Sequence, residues 1–300
     1  MLSVWLSIFS LVFHSALYGL SRVLLAKWIC RYLLGAEVQF KQEEKRHSQR
    51  NGINGIRTDV EHKEPRFVSE GDLAEIAQLI VGLLFAPLAS VFGLIVMYQS
   101  KGDVISQRSW VLVPFAHFGA SYYLLDLYTM FTSYRLRRRL HGLSTTQTVT
   151  RFIRGRWSMV VHHLLLLCIG YPLTVNINAR GGKGDFVLGA FIAQELSTPL
   201  LSIVKILRLV GLDHSLPYRL TGLALLPIFF LARVANIPLI MLLYTAQRHS
   251  WDLPSALSTM TPLCHFFNSV LFVLQLYWFL SLLRIAVSSH CRRRSQQKLK

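Results

Sequence analysis

The sequence predicts an all-α polytopic membrane protein with about seven transmembrane helices, and three observations carry that reading. Of 300 residues, 52% are hydrophobic and only 16% charged, where a soluble domain carries about 25% charged residues. Apolar runs near the ~20 residues a bilayer crossing needs follow one another with mostly short gaps. Lysine and arginine, 32 against 15 acidic residues for a net charge of +17, gather in alternate loops. A nucleic-acid-binding chain can reach such a total, but its basic residues cluster on a soluble module, and none is present here.

The runs are taken in chain order. Leu2 to Cys30 lacks a basic start and is long for a signal peptide, so it reads as an uncleaved anchor. Arg31 to Asp72 is polar and rich in both charges, the composition of a mobile loop. Its end, Ser69 to Asp72, resembles a capping box that starts the next helix. The second run is Leu73 to Tyr98, with a kink expected at Pro87. The third, Trp110 to Tyr134, carries Asp126. The fourth, Trp157 to Val175, carries the adjacent pair His162 and His163. The fifth, Phe186 to Leu207, holds Glu195, Ser197, Thr198 and Pro199, with Lys205 near its end. The sixth, Leu220 to Tyr244, holds Arg233 and Asn236, and the seventh, Leu263 to Ile285, holds His265, Asn268 and Gln275.

The basic residues set the expected topology. Loops after the first, third and fifth runs, with the tail after the seventh, hold most of them; Arg135 to Arg156 alone carries Arg135, Arg137, Arg138, Arg139, Arg151, Arg154 and Arg156. By the positive-inside rule the N-terminus is expected outside the cytosol and the C-terminus inside it. Seven spans satisfy that arrangement and six do not. On this topology His163 lies roughly 9 Å, Asp126 roughly 12 Å and Glu195 roughly 18 Å from the cytosolic ends of their spans, with Arg233 at a depth similar to Glu195. Independent helices thus bring ionisable groups to the cytosolic half of the bilayer, where each is costly and usually marks a site.

That cluster suggests chemistry. Imidazole titrates near neutral pH and can act as base or nucleophile, and a carboxylate such as Asp126 can hold its tautomer. Adjacent helical residues point about 100° apart, so one of the two histidines is expected to meet a given substrate atom. Glu195 and Arg233 can equally form a structural ion pair, Lys205 and Arg208 read as snorkelling anchors, and His265 as structural. Within the apolar runs no H-x-x-H or E-x-x-H spacing suggests a metal, and the four cysteines form no C-x-x-C pair.

These pieces resemble the TLC-domain family, named for TRAM, LAG and CLN homology, over about Leu73 to Ile285. The likeness rests on Tyr122-Tyr123-Leu124-Leu125-Asp126, on His162-His163, on the run Gly182 to Gly189, and on Glu195-Leu196-Ser197-Thr198-Pro199 with Lys205. The last two pieces are most similar to the ceramide-synthase-like third subgroup. The resemblance implies six helices in a barrel around a cytosol-facing cavity, with an additional N-terminal helix, in the endoplasmic reticulum membrane. The expected division is an anchor at 1–34, a polar cytosolic loop at 35–72, the TLC membrane domain at 73–288 and a basic cytosolic tail at 289–300.

The resemblance further implies an N-acyltransferase of sphingolipid metabolism that joins a long-chain acyl-CoA to a sphingoid base. His162, His163 and Asp126 would be catalytic, with Glu195, Ser197, Thr198 and Arg233 at the substrate. Acyl-CoA would be a co-substrate, with no bound cofactor, no metal and a possible homodimer. The chain departs from the synthase signature at Gln194-Glu195-Leu196-Ser197-Thr198 and again at Ser202: one acid is changed to another at Glu195, and where the signature has a second aspartate and a later glutamate, this sequence has Thr198 and Ser202. A non-enzymatic lipid-binding regulator of membrane composition is the alternative the family allows.

Overall fold

In a computed structural model the chain is described over residues 2–29, 68–138, 140–248 and 251–297. Among these there are helices and loops and no strand. We label the helices α1 (Val4–Ile29), α2 (Glu70–Gln99), α3 (Leu112–Arg137), α4 (Thr145–Val175), α5 (Asp185–Leu209), α6 (Leu216–Gln247), the short α7 (Leu253–Ser258) and α8 (Pro262–Gln297). Most of the expected loop 35–72, together with Cys30 and residues 298–300, lies outside the described residues.

Six of the seven long helices are apolar enough to cross a membrane, and the protein is a multi-pass membrane protein. The exception is α3, whose 26 residues give roughly 39 Å of helix but include His117, Asp126, Arg135 and Arg137. Its low hydropathy has a structural reason: α3 packs against α1, α2 and α4, and turns Asp126 inward. Large apolar side chains stay exposed on the outer faces, among them Trp5 and Phe9 of α1, Val91 of α2, Leu223 of α6 and Val273 of α8. That is the pattern of helices solvated by lipid, where backbone polar groups are satisfied within each helix.

Local sequence explains where the helices begin. Ser69 caps α2: its hydroxyl accepts from Asp72 N–H while the Asp72 side chain accepts from Ser69 N–H, the reciprocal box expected from the sequence. Ser144 and Gln147 repeat the device at α4. This corrects the reading of Arg135 to Arg156 as a loop, because helix already runs from Thr145, well before hydropathy rises. Thr148 and Phe152 are buried while Arg151 and Arg154 are exposed, so the lead-in is amphipathic. A break at Arg156 (φ −130°, ψ 24°) separates it from the apolar part. Helix α2 is a single element through Pro87, and α8 runs helically to Gln297 through most of the expected basic tail.

The helices α2 and α5 nearly touch. A Cβ on Gly93 would lie 2.4 Å from Ala193 N and 2.6 Å from Gly189 O. Small residues at a crossing let two membrane helices approach to backbone distance. This contact holds one wall of the molecule shut. On the other side, α2, α3, α4, α5, α6 and α8 surround two internal cavities, while α1 contributes to neither. It packs outside, where Ser7 and Ser10 donate to the carbonyls of His117 and Phe118 on α3. Six helices therefore form the barrel, and the N-terminal helix is an addition to it.

Candidate active site

Three helices lose regular α geometry where they meet the cavities. Helix α4 passes into a π segment, Leu166–Gly170, immediately after its histidines. Helix α5 tightens into a 3₁₀ turn at Gln194–Ser197, and α6 widens into a π segment at Phe230–Ala235. Each irregularity re-aims side chains that a straight helix would place elsewhere, and π segments are frequent at functional sites. The turn on α5 presents Glu195 and Ser197; the segment on α6 presents Arg233.

The adjacent histidines divide their labour. His163 is 3% exposed, and both its nitrogens are engaged: Nδ1 lies 2.8 Å from Met159 O, one turn back, and Nε2 lies 2.8 Å from Asp126 Oδ2. The other carboxylate oxygen of Asp126 accepts from Gln78 Nε2 at 3.0 Å, which ties α2, α3 and α4 together. His162 faces elsewhere. Its ring sits edge-on to Trp278 with centroids 5.2 Å apart, its Nδ1 is buried, and it forms no hydrogen bond among the described residues. A buried ring nitrogen left without a partner is uncommon and asks for an explanation.

Arg233 organises the second cluster. Its Nη2 lies 3.2 Å from Glu195 Oε2 and 2.8 Å from Thr198 Oγ1, and its Nε donates to Ser197 Oγ at 2.8 Å. The Thr198 hydroxyl donates to Glu195 Oε2 at 2.5 Å. Gln275 on α8 extends the network, accepting from Arg233 and donating to Gln194. Glu195 and Arg233 are thus an ion pair, and all four residues expected at the substrate form one hydrogen-bonded unit. A guanidinium with several partners in fixed directions is the group best suited to hold such a unit together.

The two cavities meet at this unit. The larger is lined by Gln78, Asp126, His163, Lys205 and Trp278 among others. The smaller is walled mainly by apolar groups such as Phe115, Leu188, Phe191 and Phe267. Tyr123, His162, Glu195 and Arg233 line both. The space is an hourglass with a polar waist and an apolar chamber on one side. The other chamber extends towards the end of the bundle that carries Arg156 and Lys205. Among the described residues no three His, Cys, Asp or Glu side chains converge as a metal-ligand set.

The family model of the TLC domain matches residues 75–284. The chain belongs to the TLC-domain family. No solved structure matches it. The matched span takes in α2 to α8, the six cavity-lining helices among them, and leaves α1 outside.

Several residues of this TLC domain stand at the site without having been singled out for it. Gln78 and Trp278 are isolated within apolar runs, and only the fold shows that they face inward. Tyr123 lies in the stretch that carries the family likeness, and its place at the waist follows from α3's rotation. Lys205 corrects an expectation. It does not snorkel away from the bundle but lines the larger cavity with Thr198, Leu201 and Ser202. From Glu195 onward these positions recur at helical spacing along one face of α5, and that face points inward.

Proposed function

We propose that this TLC-domain protein is a ceramide-synthase-like N-acyltransferase of the endoplasmic reticulum membrane, with its N-terminus non-cytosolic and its C-terminus cytosolic. It would transfer a fatty acyl group from a long-chain acyl-CoA to a sphingoid amine. The observation that supports this reading is His162, a buried imidazole without a protein partner at the waist between two chambers. A base must reach the reacting atoms, and His163 is already committed to Met159 and Asp126.

In this reading the acyl chain lies in the apolar chamber and its thioester reaches the waist. The neutral amine attacks the thioester carbonyl, forming the C–N bond, and His162 takes a proton from that nitrogen. The C–S bond breaks, and the proton passes from the imidazolium to the departing thiolate. Tyr123 and the Arg233 network face the carbonyl, where negative charge develops and fixed donors are most effective. His163 and Asp126 set the wall of α4 from which His162 projects. The arginine-rich end would attract the phosphates of CoA.

A second reading, a non-enzymatic lipid-binding regulator of membrane composition, has its own support. Both carboxylates that line the larger cavity, Asp126 and Glu195, are held by protein donors. One experiment separates the two. Purified protein is given labelled long-chain acyl-CoA and a sphingoid base, with His162→Ala compared to wild type after both give matching thermal melts. Amide product that disappears with His162→Ala supports acyl transfer. Absence of product from a wild-type preparation that retains bound lipid supports the regulator.

A further inference from the structure

The acyl-transfer reading assigns no role to Lys205, although it lines the larger cavity. The charged groups around it are Glu75, Asp126, Arg156 and Arg233. Each of the two acids is already taken. Glu75 lies 2.6 Å from Arg137 and 3.2 Å from Arg156, and Asp126 is bound by His163 and Gln78. Arg233 is likewise matched by Glu195. Among the described residues no carboxylate comes within ion-pair distance of the Lys205 ammonium. A cation that lines a cavity, beside acids committed elsewhere, has electrostatic capacity left for one anion.

The position fits a headgroup. Lys205 stands ten residues beyond Glu195 on the same face of α5, roughly 15 Å along the helix. Ser202, buried at 3% exposure, lies between them and lines the same chamber. Apolar side chains, Leu79, Leu201, Phe229, Leu282 and Ile285, fill much of the remaining wall. A charged tip at one end of a chamber walled in part by apolar side chains matches an amphiphile with an anionic head.

We propose that Lys205 is the binding residue for a single anionic headgroup, phosphate or carboxylate, of an amphiphilic ligand whose remaining length runs toward the waist. Lys suits this role because its ammonium offers three rotatable donors to a tetrahedral or planar oxyanion. The proposal holds whether the ligand is transformed or only retained, and so stands apart from the acyl-transfer reading.

The test is direct binding to the full-length protein in detergent, using labelled palmitate, hexadecyl phosphate and the neutral hexadecanol. Wild type is expected to prefer the two anionic amphiphiles by about tenfold or more. Lys205→Met should remove that preference while leaving hexadecanol binding unchanged, and Lys205→Arg should retain it. Equal affinity for all three ligands in wild type would overturn the proposal. So would an anion preference that survives in Lys205→Met or in Lys205→Gln, carried alongside in case the methionine variant no longer binds hexadecanol. Inorganic phosphate distinguishes the sources: if it binds alone at Lys205 as tightly as hexadecyl phosphate, the site belongs to a free anion and the amphiphile assignment fails.

Discussion

His163 and Asp126 join α4 to α3 through a contact of 2.8 Å, and that bond removes His163 from the pool of free bases. With Nδ1 donating to Met159 O, a proton must also lie between Nε2 and the carboxylate. The two histidines should therefore respond differently to mutation. Asp126→Ala strands the buried His163, which costs about 1–3 kcal/mol by general experience, and takes a partner from the half-buried Gln78. His163→Ala should lower thermal stability, and a double-mutant cycle with Asp126→Ala should show coupling of about 0.5–3 kcal/mol. His162→Ala should melt near wild type and lose only the ligand-dependent signal. Thermal melts of wild type and the four variants in one detergent check this.

The Arg233 network predicts a second asymmetry. Arg233→Met leaves Glu195 buried without its cation and should cost about 3–5 kcal/mol. The paired change Arg233→Met with Glu195→Met removes both charges and should be more stable than Arg233→Met alone. A double variant no more stable than the single would show that the ion pair is not what Arg233 contributes.

At the α2–α5 crossing, Gly93→Ala forces its new methyl against Ala193 N and Gly189 O. These neighbours are backbone atoms, which cannot swing aside as a side chain can, so a loss of about 1–3 kcal/mol is expected. Gly222→Ala is the matched control, since nothing lies within 4 Å of the added carbon. It sits inside α6 and should be neutral or stabilising by up to about 1 kcal/mol.

Asp185, at the start of α5, is 1% exposed and holds two loops. Its carboxylate accepts from Ser109 N–H at 2.8 Å and from Arg180 Nη1, which also donates to Lys183 O. Asp185→Ala should unlock the segment 100–110. Hydrogen exchange should show faster exchange at Ser109 and its neighbours, with the α4 histidine region little changed.

The sequence made the ionisable residues of the site visible because each stands out within an apolar run. His162, His163, Asp126, Glu195 and Arg233 could all be found that way. Partner choice could not. Which adjacent histidine faces Asp126 depends on the rotation of α4, and no periodicity reports that angle. Lys205 was misread for a related reason, because a lysine near a span end has the same sequence signature whether it points to lipid headgroups or into a cavity. The helix from Thr145 was hidden by its arginines, since hydropathy finds lipid-facing helix and this lead-in is amphipathic. The capping boxes at Ser69 and Ser144 are local, and the first was legible.

The widened turn at Phe230–Ala235 has a genetic consequence. A π turn accommodates one residue more than the α turn it replaces, while the helix on either side keeps its own packing. Removing a single codon inside this window, such as Ala232, can be absorbed by straightening α6, with the flanks at Leu225 and Ile240 left in register. Arg233 alone would lose its aim. The same deletion one turn away has no slack to consume and must rotate half the helix by about 100°, which exchanges its lipid face for its inward face. A deletion scan along α6 should accordingly show a narrow window of proteins that fold but lack the Arg233 network, bounded on both sides by proteins that fail to accumulate.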